Sequence, residues 1–429
     1  MSTQNPSGTT PPANTPPAEQ LSSPSRRRSG TVGTGVAIAI AVVLLIVGIG
    51  AGYFVGYDAH KSSTTSTPTL TETGSSLLYP LMTRWAGNYS AATISAASTG
   101  SGTGQSDAEL GIVNIGASDG YLTNASQTGL INVPVAISAQ LIYYNLPGIT
   151  AHLNLNGTIL AMIYNGTITT WNDPLILAAQ SSTVQGQLNG LSSETISPIV
   201  RADSSGDSFL FSSLCYMSWS QWSFGYGTKV LETDPHATGA DGNTGVVAAL
   251  ASTKNSIGYV GISYESLATS DGLVYAALGD NLANSASGGV TASNYILPSA
   301  ANISQDANLG LTHLQYSTYG LAVSLILGGS QAGAVNLTLG GGGTNPGGAY
   351  TTPYPDANLE YTLIKTAPVG PTVTSTNLAA TVQFLEWAIS VGNYAAGGAN
   401  SVWITAVNFV TLTPEVVGYD MQELATVST

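Results

Sequence analysis

The sequence predicts an α/β architecture, strands alternating with helices, held outside a membrane by a single N-terminal helix. Three observations carry this reading. From about residue 71 onward, short apolar runs bounded by Gly, Pro or Asn alternate with helix-like stretches, the pattern of α/β layers with a mainly parallel sheet. Residues 36–55 hold no charge, and such a run at about 1.5 Å per residue spans roughly 30 Å of hydrocarbon. Hydrophobic residues make up 43% of the 429, enough to fill a core and too many for a wholly disordered chain.

The elements follow in order. Residues 1–30 are rich in Pro, Ser, Thr, Asn and Gln, a composition that buries nothing and reads as a disordered cytoplasmic tail. Arg26, Arg27 and Arg28 then precede the apolar run, which ends in Tyr53, Phe54 and Tyr57. The arginines place the N-terminus in the cytoplasm, and the aromatics suit a membrane interface. The length of the run favours an uncleaved anchor over residues 31–57 rather than a cleaved signal peptide. Residues 58–70 read as a polar tether. Residues 112–117, 140–144, 196–200 and 256–260 read as buried strands, and residues 77–89, 205–217, 245–252 and 378–391 as helices. Residues 340–348 are too glycine-rich for either and read as a surface loop. Cys215 lies among Leu214, Tyr216 and Met217 and reads as a small core residue.

Charge excludes several functions. Nine Lys and Arg face 23 Asp and Glu, a net charge of −14, and only 7% of residues are charged. Residues 58–429 alone carry six bases against 22 acids, a net of −16. Such a surface has nothing to neutralise a phosphate backbone, so no nucleic-acid partner is expected. One cysteine makes no intramolecular disulfide, and four scattered histidines make no zinc cluster, so neither metal nor cofactor is expected. The Asn-x-Ser/Thr sites at Asn88, Asn124, Asn156, Asn165, Asn302 and Asn336 are no more than this composition gives by chance.

Three polar clusters stand out. The first, Thr73-Gly74-Ser75-Ser76-Leu77, opens a helical run containing Trp85; it is an anion cradle or a set of helix caps. The second, Ser98-Thr99-Gly100-Ser101-Gly102-Thr103-Gly104-Gln105, precedes an apolar strand ending in Ser118-Asp119-Gly120. Its glycines let backbone approach a ligand, and its hydroxyls donate. It lacks the Gly-Lys-Ser/Thr ending of a nucleotide loop, which excludes ATP and GTP. The third is Arg201-Ala202-Asp203-Ser204-Ser205-Gly206-Asp207-Ser208-Phe209, a strand end turning into a helix. A guanidinium matches an oxyanion bidentately, and Asp203 can brace it; a structural Arg–Asp pair in a turn fits the same residues.

The order and spacing of these clusters resemble the phosphate-binding component of ABC-type phosphate transporters. Gly74 through Trp85, Gly100 through Gly104, Gly116-Ala117-Ser118-Asp119 and Arg201 through Phe209 match the family's motifs. So do Ile168-Thr169-Thr170-Trp171-Asn172-Asp173, Asn255-Ser256-Ile257-Gly258-Tyr259-Val260 and Phe384-Leu385-Glu386-Trp387-Ala388. The resemblance implies a two-lobed periplasmic-binding-protein fold of type II. Its first lobe would span residues 71–143 and 358–429, and its second residues 144–357. It implies capture of inorganic phosphate between the lobes and delivery to a membrane permease, by a monomer that is not an enzyme. The contacts it implies are Ser76, Leu77 through its backbone N–H, Ser101, Asp119, Arg201, Ser205, Gly206 and the position of Asp207, with Asp203 in support. Asp207 stands where the family carries threonine. Two roles are open to it: a donor to a phosphate of low charge when protonated in an acidic medium, or a cap on the following helix.

Other readings fit parts of the chain. The same scaffold can hold sulfate, molybdate or tungstate. Ser205 or Ser101 would be a nucleophile if the fold brought His152, His236 or His313 close. The Ser/Thr/Gly composition with an anchor also suits a surface-layer or adhesion protein.

Overall fold

The computed structural model describes residues 67–122, 125–191, 194–229, 237–279, 295–304, 354–390 and 401–429. Contacts divide the chain after Thr65, and the unit from Ser66 to Thr429 carries everything described below. The tail, the apolar run with its three arginines, most of the tether, Asn124, Asn336, His236, His313 and the glycine-rich stretch 340–348 lie outside the described residues. Among the described residues, no helix is long and apolar enough to cross a membrane.

The first lobe opens with β1 (Thr69–Gly74), α1 (Tyr79–Asn88), β2 (Thr93–Ser98), α2 (Ser101–Leu110) and β3 (Ile115–Ser118). β1 lies between β2 and β3, parallel to both. The chain then enters β4 (Leu130–Asn145), sixteen residues of which fifteen are buried. The second lobe contains β5 (Asn154–Leu155), α3 (Gly157–Tyr164), α4 (Pro174–Ala178), α5 (Ser182–Asn189), β6 (Ser197–Arg201) and α6 (Gly206–Ser218). It continues with β7 (Thr238–Ala240), α7 (Gly242–Ser252), β8 (Ser256–Gly261), α8 (Glu265–Ser270), β9 (Val274–Tyr275), β10 (Ala277–Gly279) and β11 (Tyr295–Ile296). β12 (Ala357–Lys365), α9 (Ser375–Ser390), α10 (Ser401–Thr405) and α11 (Pro414–Leu424) complete the chain.

β4 joins the two lobes. Its first part, Leu130 to Ala139, pairs antiparallel with β12, and its last part, Gln140 to Asn145, pairs antiparallel with β8. The resulting sheet runs β2-β1-β3-β12-β4-β8-β6-β7. This departs from a mainly parallel sheet: β12 is antiparallel to β3 and β4, and β4 to β8 and β9. The cause is topological, because strands that carry the chain out of a lobe and back must run in opposite senses.

Local chemistry explains the element ends. Asn156, Asp173, Ser181, Ser205 and Thr413 each cap the helix that follows by accepting a backbone N–H. Asn156 is fully buried in that role. Pro198 sits at the second position of β6 and does not break it. Residues 101–104 form the first turn of α2, with Gly100 as its N-cap. Glycine is a poor helix former, but packing requires it here: a Cβ on Gly104 would lie 2.5 Å from the Ala117 carbonyl oxygen and 2.7 Å from that of Thr73. Trp85, Trp171 and Cys215 are fully buried in the main core.

Candidate functional site

Strand ends and helix starts of both lobes converge on Asp119 and Arg201. β1 ends in Gly74, whose φ of +141° and contact with the Ala117 carbonyl admit no side chain. Ser75 follows; its hydroxyl accepts the Leu78 N–H at 2.9 Å and donates to Asp119 Oδ1. β3 delivers Asp119, 1% exposed, at its end. Ser101 opens α2, donates to Asp119 Oδ2 and accepts the Asp119 N–H, both at 3.2 Å.

The second lobe presents the strand–turn–helix of β6 and α6. Arg201, at the end of β6, is 2% exposed. Its Nε donates to Asp203 Oδ1 at 2.7 Å and its Nη2 to Asp203 Oδ2, a forked pair that fixes the guanidinium plane. Its Nη1 donates to Asp207 Oδ2. Ser205 caps α6 by accepting the Asp207 N–H at 3.0 Å. Of the two roles open to Asp207, capping therefore falls to Ser205, and the Asp207 carboxylate lies on Arg201.

The lobes meet here without a gap. The Gly102 N–H donates to the Ser204 carbonyl at 2.9 Å. A Cβ on Gly206 would stand 2.5 Å from Ser101 Oγ and closer still to the Asp119 carboxylate. On the other flank, Asn243 near the start of α7 donates to Ser76 Oγ at 2.9 Å and to Asp207 Oδ2 at 2.8 Å. The Tyr264 hydroxyl donates to the Ser76 carbonyl at 3.0 Å, and that of Ser263 to the Leu77 carbonyl at 2.8 Å. A cleft of about 290 Å³ opens beside this contact, lined by Thr99, Gly100, Asp203, Asp241, Asn243 and Tyr264 among others.

All the singled-out residues thus come together: Ser76, Leu77, Ser101 and Asp119 from one lobe, and Arg201, Asp203, Ser205, Gly206 and Asp207 from the other. His152 is bound elsewhere, its Nδ1 lying 2.7 Å from the Tyr275 carbonyl. Among the described residues no histidine is hydrogen-bonded to Ser101 or Ser205. Four neighbours were not singled out from the sequence: Asn243, Gln140, Asp356 and Glu360. Gln140 donates to the Asp207 carbonyl at 2.9 Å and to Asp207 Oδ1 at 3.3 Å. Glu360 accepts from Ser138 at 2.5 Å. The available signal was weak: Gln140 precedes the apolar run Leu141–Tyr144 in β4, and Glu360 is one of several polar residues in β12.

Burial dominates the electrostatics. Asp203 is held below the ordinary carboxylate range, because Arg201 outweighs its partial burial. Arg201 stays charged: burial opposes this, but Asp207 and then Asp203 outweigh it. Asp207 is pushed up to about 7, since burial exceeds the pull of Arg201 and Asp119 adds repulsion. Burial raises Asp119, and raises Glu360 well above the usual range. After burial, the nearness of the two carboxyls to each other is the next cause of the upward push on Glu360. The arrangement offers one cation, several hydroxyl and backbone donors, and an acceptor at Asp119. That is the donor and acceptor set of a partly protonated oxyanion.

Residues 59–391 match a family model described as a PBP superfamily domain. The chain is 34% identical over 197 residues to phosphate-binding protein PstS of Xylella fastidiosa (strain 9a5c). That match covers 44% of this chain and 52% of the other, so the chain spans about half that relative's length. It is 29% identical over 361 residues to phosphate-binding protein PstS of Pasteurella multocida (strain Pm70), covering 82% and 89%. Among solved structures, it shares the fold of a high-affinity periplasmic phosphate-binding protein bound with phosphate. The TM-score is 0.56 at 19% identity, covering 82% of this chain and 92% of that one.

Proposed function

The chain belongs to the PBP superfamily, and from that membership we propose that it captures inorganic phosphate between its lobes and delivers it to an ABC transporter permease. The observation that carries this is Arg201, buried to 2% exposure, braced by Asp203 and facing Asp119 across the lobe contact. Both relatives named above are phosphate-binding proteins by name, and neither carries an enzyme's name.

In this reading Ser76, the Leu77 N–H, Ser101, Arg201, Ser205 and the Gly206 N–H donate to phosphate oxygens, and Asp119 accepts the phosphate proton. Closure of the lobes removes water and strengthens each contact. Distant acids do not forbid an anion, because salt screens them beyond about 10 Å. Asp119 provides selectivity: sulfate, which brings no proton, leaves that carboxylate repelled. The uncharged run 36–55 supports an anchor that keeps residues 58–429 outside the membrane beside the permease.

Competition calorimetry at pH 5 tests the substrate class. Phosphate should bind, and sulfate, molybdate and tungstate at tenfold excess should leave its affinity unchanged. Displacement of phosphate by sulfate would transfer the site to another oxyanion.

A further inference from the structure

We propose that the Asp207 carboxylate is a built-in occupant of the anion's donor set, so that the site accepts phosphate only together with a proton on Asp207. The inference rests on the phosphate reading above and adds the ionic form that the site takes.

The geometry of one oxygen carries it. Asp203 takes Nε–H and one of the two hydrogens of Nη2 on Arg201, which leaves the Nη1–Nη2 edge of the guanidinium open to a ligand. That edge donates to Asp207 Oδ2. Asn243 Nδ2 donates to the same oxygen at 2.8 Å, and Ser205 Oγ lies 3.5 Å from it. A charged N–H, an amide N–H and a hydroxyl therefore converge on a single carboxylate oxygen that is wholly buried. A phosphate oxygen bound at that edge competes with it for Nη1, and an ionised Asp207 at that distance also repels the incoming anion. Protonation resolves both conflicts. The neutral carboxyl releases Nη1, and its O–H becomes one more donor to the phosphate.

Charge balance agrees. Without ligand, Arg201 stands against Asp203 and an ionised Asp207. Adding dihydrogen phosphate and one proton from solvent leaves the net charge of the site unchanged. The groups facing Asp207 from the surrounding elements all bear on this proton. Asp119 at the end of β3 and Asp203 in the turn disfavour its ionised form, and Asp207 in turn pushes up Asp356 just before β12 and Glu360 within β12. Tyr259 of β8 and Tyr264 complete the titratable set on that side. Among the described residues, Arg201 is the cation acting on Asp207. Burial then places Asp207 at about 7, within the range where a change of medium protonates it.

The test is phosphate calorimetry on the full chain, wild type, Asp207→Asn and Asp207→Thr, at pH 5 and pH 7.5. Each titration is run in two buffers of different ionisation enthalpy, so that protons taken up are counted. At pH 7.5 both variants should bind phosphate at least about tenfold tighter than wild type, and the difference should shrink at pH 5. Wild type should take up more protons per phosphate than either variant at pH 7.5. Should a variant fail to fold, the wild-type affinity itself decides: between pH 5 and 8 it should fall more steeply than the loss of dihydrogen phosphate. Equal affinities, equal proton uptake or a wild-type profile that only tracks dihydrogen phosphate would overturn the proton requirement at Asp207 while leaving phosphate binding intact. No phosphate binding by any of the three at either pH would overturn both.

Discussion

Asn243 and Ser76 are hydrogen-bonded across the lobe contact, with Nδ2 of the first 2.9 Å from Oγ of the second. The same amide accepts the Gly261 N–H through Oδ1 at 2.7 Å, which fixes its orientation. Asn243 is therefore a latch between an element of each lobe.

Asn243→Ala removes the latch and leaves buried partners on both sides unpaired, a cost of about 1–3 kcal/mol. Because one of those bonds joins the two lobes, the loss falls partly on ligand binding. Phosphate affinity, measured by calorimetry, should fall roughly tenfold, equivalent to about 1.4 kcal/mol. Unchanged affinity would remove Asn243 from the site.

Gly206→Ala places a methyl group against the Ser101 hydroxyl and the Asp119 carboxylate. Both are buried side chains with fixed partners, so the lobes cannot close. Phosphate affinity should drop at least ~100-fold, about 2.7 kcal/mol, while each lobe keeps its core and the melting temperature changes little. Gly87→Ala is the matched control, since a Cβ there meets nothing within 4 Å. Titrating both variants with phosphate checks the contrast.

Stability should rise as the medium becomes acidic. Glu72 in β1 is 1% exposed, and neither carboxylate oxygen has a partner among the described residues. Burial pushes its pKa from 4.5 up to about 8. Asp356 and Asp420 move in the same direction for the same cause. A group whose folded pKa is raised lends its stability in full below its unfolded value. That contribution is lost as pH climbs from 4.5 through about 8, because the unfolded chain then releases protons more readily. Thermal melts should show the highest midpoint near pH 4–5 and a decline toward pH 8. Glu72→Gln should raise the midpoint at pH 8, by about 2–4 °C per kcal/mol recovered, and flatten the profile. A midpoint that climbs with pH would contradict this.

The readable part of the site was local in sequence. Arg201 through Asp207 is one strand–turn–helix, so its strand end, brace and helix start are visible as neighbours in the chain. Asp119 was visible for the same reason, at the end of an apolar run. Gln140, Asp356 and Glu360 were not, because β-pairing among β4, β8 and β12 brings them in from distant positions, and Asn243 arrives on the first turn of α7. The strand at residues 140–144 was recognised but its length was not. Asn132, Pro134 and Ser138 interrupt the apolar pattern of the first part of β4, whose polar groups are paired only in the folded protein. For example, Asn132 Nδ2 donates to the Leu122 carbonyl at 3.0 Å. The start of α2 was hidden by glycines that serve close packing on β1 and β3 rather than a loop. The strand at residues 112–117 begins later, at Ile115, since Ile112 is 55% exposed in a turn.

The most direct test of the account compares phosphate binding by the full chain with that of Arg201→Ala and Arg84→Ala at pH 5. Arg201 is buried in the site, whereas Arg84 is exposed on α1. Removing a charge-assisted partner from a dehydrated site costs about 2–5 kcal/mol or more. Wild type and Arg84→Ala should therefore bind phosphate with equal affinity, and Arg201→Ala should show no measurable binding. Equal dissociation constants for wild type and Arg201→Ala would contradict the account.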